Sequence, residues 1–98
     1  MSFTLDPEGV ERRMLHFLVD FRRKDVLEIG CGDGRLTWRY ADDAASVLAL
    51  DVDQDKIAKA RESIPQHLRS VVTFQQADIL TLEPQWDAFD VVIFSWVL

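Results

Sequence analysis

The stretch VLEIGCGDG, residues 26–34, decides the fold of this 98-residue chain. It begins with a short apolar run that is typical of a buried strand, and it ends in three glycines at every second position. Glycine permits a tight turn and lets a ligand lie close against the backbone. We therefore predict a strand over residues 25–29, a turn over 30–34, and a helix over 35–42 whose first N–H groups face a ligand.

Three further apolar runs follow this turn and share the composition of strands. They predict strands over residues 46–51, 71–75 and 89–94. Their cores do not alternate between apolar and polar residues, which is typical of parallel strands covered on both faces. Strands that alternate with helices form a doubly wound α/β sheet, and we predict the order 3-2-1-4 for the four strands numbered along the chain.

Two more helices complete the predicted architecture. Pro7 begins a helix over residues 7–20, and Asp53 caps a helix over residues 53–63. Right-handed crossovers place the helical connections between the first three strands on one face of the sheet. The return to the fourth strand, residues 76–88, has little helical periodicity. We therefore expect the other face to be thinly covered.

An acidic residue stands at the end of the second predicted strand. Asp51 follows Gly30 by 21 residues, a spacing at which an acid can accept hydrogen bonds from two ribose hydroxyls. The alternative is a solvated carboxylate at a strand end. A dinucleotide-binding turn has the pattern Gly-x-Gly-x-x-Gly/Ala, whereas this chain has Arg35 at the last position and its third glycine one residue earlier. This departure disfavours a nicotinamide dinucleotide.

Four segments, in order and at normal spacing, resemble the motifs of class I S-adenosylmethionine-dependent methyltransferases: residues 26–34, 48–53, 76–79 and 89–95. The resemblance extends over nearly the whole chain from the first helix onward. It implies a Rossmann-like, three-layer α/β fold in which the parallel strands of this chain form part of a seven-stranded sheet, and an enzyme that transfers a methyl group from S-adenosylmethionine. Residues 1–98 then correspond to the cofactor-binding N-terminal part of that domain, with its C-terminal half absent.

The resemblance also implies which residues hold S-adenosylmethionine. Glu28 and the backbone of Gly30 and Gly32 would hold the methionine end. Ser95 would lie near the transferred methyl group, as would Trp96, for which a core position is the equal alternative. The implied cofactor-binding residues are Glu28, Gly30, Cys31, Gly32, Gly34, Asp51, Val52, Asp78, Ile79 and Ser95.

The adenosine end of the cofactor is implied to contact the second and third motifs. Asp51 would bind the ribose hydroxyls, and Val52 would touch the adenine. Asp78 would accept a hydrogen bond from the adenine amino group with Ile79 against the ring, although Asp78 also suits the start of a turn. We assign no catalytic residue, because a sulfonium is already activated and the protein contributes mainly by positioning.

Composition and charge reduce the number of possible binding partners and compartments. Eleven Lys and Arg face 17 Asp and Glu, which gives a net charge of −6 and argues against a nucleic-acid partner. A small-molecule acceptor is favoured instead. The single cysteine, Cys31, cannot form an internal disulfide, which favours a reducing cytoplasm. No apolar run reaches the roughly 20 residues that span a bilayer, and His16 and His67 lack the spacing of metal ligands.

The last segment, residues 91–98, is nearly all apolar. At the open edge of a sheet such a segment favours pairing with another chain, so we expect self-association through it. Three functions remain open from the residues alone. The first is a methyltransferase with a small-molecule acceptor, the second is an NAD-dependent oxidoreductase, and the third is a non-catalytic fragment that self-associates.

Overall fold

The computed structural model describes the backbone of residues 2–4 and the whole of residues 19–95. The helix predicted over residues 7–20 lies outside the described residues, except for its last two positions, which are not helical. Trp96 also lies outside the described residues.

Five parallel strands form one sheet. In chain order they are β1 (Ser2–Thr4), β2 (Asp25–Ile29), β3 (Ser46–Asp51), β4 (Val72–Gln76) and β5 (Val91–Phe94). Their order across the sheet is β1-β5-β2-β3-β4, and every neighbouring pair is parallel. The strands predicted from the sequence are β2 to β5, and they stand in the predicted order 3-2-1-4. The α/β fold class and its topology are confirmed.

The strand β1 was not predicted, and it changes the edge of the sheet. Ser2 pairs with Val92 and Thr4 pairs with Phe94, so β5 lies between β1 and β2. The prediction of a bare apolar edge at residues 91–98 is therefore wrong for the part of that segment that the structure describes. The outer backbone groups of β5 pair with β1, which removes the basis for self-association through this edge.

Among residues 19–95 the structure contains one α-helix, α1 (Gln54–Ser63), between β3 and β4. The Asp53 side chain accepts a hydrogen bond from the N–H of Lys56 at 3.2 Å, which confirms the predicted cap. The guanidinium of Arg61 donates to the carbonyl oxygen of Phe74 at 2.8 Å. This contact ties α1 to β4 while the buried side of the helix packs on the sheet.

The segment predicted as a helix over residues 35–42 is not an α-helix. It consists of turns around a short 3-10 helix, Thr37–Arg39. The N–H of Tyr40 donates to the carbonyl oxygen of Thr37 at 3.3 Å, as the tighter winding requires. Side chains three residues apart lie on the same side of such a turn. Thr37 and Tyr40 therefore both reach the buried side chain of Glu28, a tertiary contact that helical periodicity does not reveal.

Two strands begin later than predicted. β4 begins at Val72 rather than at residue 71, because the N–H of residue 71 bonds within the preceding turn. β5 begins at Val91 rather than at residue 89, because the N–H of Phe89 donates to the carbonyl oxygen of Trp86 at 3.2 Å. In both places a local turn uses the backbone N–H groups that would otherwise form hydrogen bonds within the sheet.

The two faces of the sheet are covered unequally. Tyr40 and Ile57, from the two connections between β2, β3 and β4, both belong to the larger buried cluster on one face. The other face is covered by residues from the connection between β4 and β5, including Ile79 and Phe89. The buried members of its cluster are Leu27, Ile29 and Leu50. The predicted division between a well-covered and a thinly covered face is confirmed for the described residues.

Candidate functional site

A cavity of about 500 Å³ opens at the carboxyl ends of β2 and β3. Its volume lies within the roughly 300–1,000 Å³ of small-molecule sites. The glycine turn contributes Gly30, Cys31 and Gly32, β3 contributes Asp51, and Ser95 follows β5. Open α/β sheets bind ligands at this edge, next to the point where the strand order reverses, which here lies between β2 and β5.

Two glycines of the turn have different structural tasks. Gly32 has a φ of 58° and lines the cavity, and the nearest atom to a Cβ at this position would be Cδ of Lys56 at 3.9 Å. Gly34 has a φ of 93° and is buried, and a Cβ there would lie 2.7 Å from Cζ2 of Trp38 and 3.3 Å from Cζ of Phe74. Gly32 leaves the backbone accessible to a ligand, whereas Gly34 lets the turn pack on the sheet.

Asp51 connects the glycine turn to the end of β3. Its Oδ2 accepts a hydrogen bond from the N–H of Gly32, and its Oδ1 accepts one from the N–H of Asp53, both at 2.8 Å. Each carboxylate oxygen has a further lone pair, so these two bonds leave Asp51 able to accept hydrogen bonds from ligand hydroxyls. The carboxylate is thereby held at the cavity wall in a fixed orientation.

Glu28 lies beneath the cavity and is fully buried. Its Oε1 accepts hydrogen bonds from the hydroxyls of Thr37 and Tyr40, both at 2.6 Å. The hydroxyl oxygen of Ser95 lies 2.5 Å from Oε2 and 3.1 Å from the carbonyl oxygen of Gly30. Three segments, β2, the 3-10 turn and the end of β5, meet at this one carboxyl. Glu28 does not line the cavity, and its connection to the cavity passes through Ser95.

The surroundings of Glu28 affect its protonation. Burial raises the pKa of Glu28, and the hydrogen bonds from Ser95, Thr37 and Tyr40 offset part of that rise. The pKa of Tyr40 is raised by its own burial and by the adjacent Glu28, so its hydroxyl stays protonated and donates. A protonated Glu28 can donate from Oε2 to Ser95, whose own hydroxyl then donates to Gly30. The cluster accommodates both charge states of Glu28.

Cys31 lines the cavity as a buried thiol. Burial raises the pKa of Cys31, and the nearby carboxylates of Glu28 and Asp51 raise it further. A thiol that stays protonated is a poor nucleophile. We therefore interpret Cys31 as a small residue of the turn rather than as a nucleophile.

Two predicted site residues lie after β4 and outside the cavity. Asp78 starts a turn, since its Oδ1 accepts a hydrogen bond from the N–H of Leu80 at 2.9 Å. Ile79 packs on the smaller buried cluster and borders a separate cleft of about 360 Å³ that also contacts Trp86. Of the ten predicted residues, those that line the cavity are Gly30, Cys31, Gly32, Asp51, Val52 and Ser95. Those that do not are Glu28, Gly34, Asp78 and Ile79.

The structure adds cavity residues that the sequence analysis missed. Two of them, Arg35 and Lys56, are cations, one after the glycine turn and one in the first turn of α1. Asp33, Leu36 and Asp53 complete the additions. The position of Lys56 could have been anticipated, because side chains in the first turn of a helix lean back toward its N-terminus.

Other site types receive no support from the described part of the chain. Within residues 2–4 and 19–95, no group of three or more His, Cys, Asp and Glu side chains is arranged to hold a metal ion. No helix described there is long and apolar enough to cross a membrane. His67 lies at the surface, where its Nε2 is 2.7 Å from Oδ1 of Asp42.

A comparison with protein families decides what kind of domain this is. Residues 26–98, which include the glycine turn and Asp51, match the family model described as a methyltransferase domain. The chain belongs to this methyltransferase family. The match confirms the resemblance of its four motifs to those of S-adenosylmethionine-dependent methyltransferases.

Individual relatives of this methyltransferase domain are considerably longer. Phosphoethanolamine N-methyltransferase 1 of Triticum aestivum is 34% identical over 87 residues, which make up 87% of this chain and 17% of that protein. Haemonchus contortus phosphoethanolamine N-methyltransferase 1, in complex with phosphoethanolamine and S-adenosylhomocysteine, superposes with a TM-score of 0.74 at 29% identity, over 92% of this chain and 19% of that one.

A third relative has a different acceptor in its name. An RNA methyltransferase from Salinibacter ruber, in complex with S-adenosylhomocysteine, superposes with a TM-score of 0.76 at 28% identity, over 95% of this chain and 61% of that one. The chain thus spans less than two thirds of each of these three relatives. The two solved structures share the fold of this chain, and the acceptors in the names of the relatives range from a small amine to RNA.

Proposed function

We propose that the chain binds S-adenosylmethionine in the cavity at the ends of β2 and β3. Residues 1–98 would contribute the cofactor-binding part of an enzyme that methylates a small-molecule acceptor. The observation that carries this proposal is the junction of the glycine turn with Asp51, where the N–H of Gly32 donates to Oδ2 at 2.8 Å on the wall of a cavity of about 500 Å³. The family match and relatives in complex with S-adenosylhomocysteine support it.

The residues present fit the cofactor along the glycine turn and at its adenosine end. At Gly32 the backbone is open to a ligand, because the nearest neighbour of a Cβ would be a flexible lysine side chain at 3.9 Å. Asp51 would accept hydrogen bonds from the ribose hydroxyls. Val52 is 61% exposed and lines the cavity, where it would contact the adenine. Asp78 and Ile79 remain assigned to the adenine amino group and ring by motif alone.

The methionine end of the cofactor carries an ammonium, a carboxylate and the sulfonium. Arg35 and Lys56 line the cavity as cations, and we assign the carboxylate to this pair. The carbonyl of Gly30 and the hydroxyl of Ser95 supply acceptors for the ammonium. Glu28 would act on this end from below, through Ser95, rather than by direct contact.

The chain contributes to methyl transfer mainly by positioning. When bound, S-adenosylmethionine would supply a methyl group on a positively charged sulfur, which activates that methyl group toward a lone pair of the acceptor. Asp51 and the glycine turn would fix one end of the ligand, and Ser95 would lie near the reacting carbon. Orientation of this kind accounts for a large part of the rate in such displacements.

A small molecule suits this chain as acceptor better than RNA does. The net charge of −6 opposes a surface that follows phosphates, whereas a small acceptor requires no such surface. Phosphoethanolamine, which occurs in the names of two relatives, is a small molecule and supports this choice. We place the reaction in the cytoplasm, because the single cysteine forms no internal disulfide.

Calorimetric titration with S-adenosylhomocysteine tests the proposed site. We expect one ligand per chain, and a loss of affinity of roughly tenfold or more in Asp51→Asn, which weakens charge-assisted hydrogen bonds to the ribose. Asp42→Asn is the matched control, because Asp42 is exposed and pairs with His67 away from the cavity. Absence of binding to the unmodified chain, or equal affinity in Asp51→Asn, would contradict the proposal. Preferential binding of NAD would instead favour the oxidoreductase hypothesis.

A further inference from the structure

A single hydroxyl group separates the carboxyl of Glu28 from the cavity. The hydroxyl oxygen of Ser95 lies 2.5 Å from Oε2 of Glu28, and Ser95 itself lines the cavity. Glu28 is fully buried, so solvent does not screen a charge at this position. A negative charge on Glu28 therefore acts on any ligand above Ser95 through a medium that weakens it less than water would.

Most of the groups that pack around Glu28 carry no charge. In the neighbouring strands its register partners are Ala49 on β3 and Ile93 on β5, which carry no charge. The 3-10 turn presents the hydroxyls of Thr37 and Tyr40. From the glycine-turn segment, Cys31 and Arg35 interact electrostatically with Glu28. Cys31 stays neutral, and Arg35 favours the ionised form of Glu28.

We infer that Glu28 biases the choice between the methyl donor and its demethylated product. Its ionised carboxylate favours S-adenosylmethionine, which carries one more positive charge than S-adenosylhomocysteine. This inference rests on the proposed function and gives Glu28 a role that needs no direct contact with the ligand. Glu28 is a positioning residue, because it acts on the ligand through its hydrogen bond with Ser95 and through the electrostatic field of its carboxylate.

The preference follows the ionisation of Glu28 and therefore depends on pH. At low pH Glu28 is protonated and neutral, so it keeps its hydrogen bonds but no longer attracts a cationic ligand. Only other contacts then distinguish the two ligands. As pH rises and Glu28 ionises, affinity for the cationic ligand increases relative to the neutral one. For two unit charges separated by roughly 10 Å at an effective dielectric constant of about 25–50, Coulomb's law corresponds to a preference of roughly three- to tenfold.

The experiment measures the ratio of the dissociation constants of S-adenosylhomocysteine and S-adenosylmethionine. Both ligands are titrated into the unmodified chain, Glu28→Gln and Tyr40→Phe at several pH values between about 5 and 9. Glu28→Gln keeps the size of the side chain and removes the charge. Tyr40→Phe keeps the charge and removes one hydroxyl donor at 2.6 Å, which raises the pKa of Glu28 further. Protonation changes in the unbound ligands are the same in the experiments with all three proteins. They therefore cancel when the ratios of the three proteins are compared.

The expected result is a ratio that increases with pH in the unmodified chain beyond any change seen in Glu28→Gln. The midpoint of that increase should lie at higher pH in Tyr40→Phe. A purely structural role for Glu28 would weaken both ligands equally and leave the ratio unchanged. Should Glu28→Gln fail to fold, the midpoint shift in Tyr40→Phe decides the matter.

Two other results separate this inference from the proposed function. If both ligands bind and the ratio is the same at every pH in all three proteins, the inference is overturned while the proposed function stands. If neither ligand binds the unmodified chain, the proposed function fails and the inference fails with it.

Discussion

The side chains of the candidate site act in three different ways at the scale of single residues. Asp51 orients the glycine turn, since its two carboxylate oxygens each hold a backbone N–H at 2.8 Å. Gly34 permits a close approach, because a Cβ would meet Trp38 at 2.7 Å. Glu28 holds three hydroxyls beneath the cavity floor. Glu28 and Gly34 belong to the first motif and Asp51 to the second, and only Asp51 of the three lines the cavity.

We predict that Gly34, the third glycine of the turn, contributes more to the free energy of unfolding than Gly32 does. Gly34→Ala forces a Cβ against Trp38 and leaves a side chain at a φ of 93°, so we expect a loss of about 2–4 kcal/mol in the free energy of unfolding. Gly32→Ala is the matched control, because its Cβ would find its nearest neighbour at 3.9 Å, and it should cost about 1 kcal/mol. Urea denaturation measures both, and equal losses in the two variants would contradict this explanation.

At the scale of elements, the 3-10 helix Thr37–Arg39 attaches the connection between β2 and β3 to the buried carboxyl of Glu28. Its tight winding aligns Thr37 and Tyr40, so that both hydroxyls reach Oε1 of Glu28 at 2.6 Å. The ring of Tyr40 stacks on Phe21 with centroids 4.6 Å apart. A polar contact and an aromatic contact thereby attach this connection to the larger core cluster.

Removal of one hydroxyl should weaken this attachment without disturbing the aromatic contact. Tyr40→Phe keeps the ring against Phe21 and withdraws a donor from a buried carboxyl, and we expect a loss of about 1–3 kcal/mol in the free energy of unfolding. Thr73→Val serves as the control, because Thr73 is exposed on β4 and should change stability by less than about 0.5 kcal/mol. Thermal or urea unfolding gives both values. The explanation is refuted if Tyr40→Phe is as stable as the control.

At the scale of the whole molecule, stability couples to pH through a buried group. The pKa of Glu28 is raised by burial above its ordinary value of 4.5. The folded state therefore binds this proton more tightly than the unfolded state does. The stabilising contribution is complete below the pKa of the unfolded state and is lost as pH rises through the pKa of the folded state. The exposed Asp20, whose pKa its hydrogen bonds with Arg22 lower to about 2, has the opposite sign and is screened by solvent.

The difference in stability between the unmodified chain and Glu28→Gln should therefore change with pH. We expect the free energy of unfolding of the unmodified chain to fall relative to that of Glu28→Gln as pH rises from about 4.5 toward 8. The reason is that the carboxyl of Glu28 loses its proton over this interval, whereas glutamine does not titrate. Urea denaturation of both proteins at matched pH values measures this difference. Asp20→Asn provides the comparison, since its effect should be small over the same interval. A difference that stays constant with pH would show that Glu28 has the same pKa in the folded and unfolded states.

The sequence by itself determined the strands β2 to β5, their order and the capped helix α1, because these depend on local apolar runs, turn residues and the handedness of crossovers. It also placed the glycine turn and Asp51 at one edge, since parallel strands end together. Only the tertiary structure decided that β1 covers β5, that residues 35–42 wind as a 3-10 turn, and that Glu28 lies under the cavity. Each of these depends on contacts between residues far apart in the chain, and such contacts override local propensity.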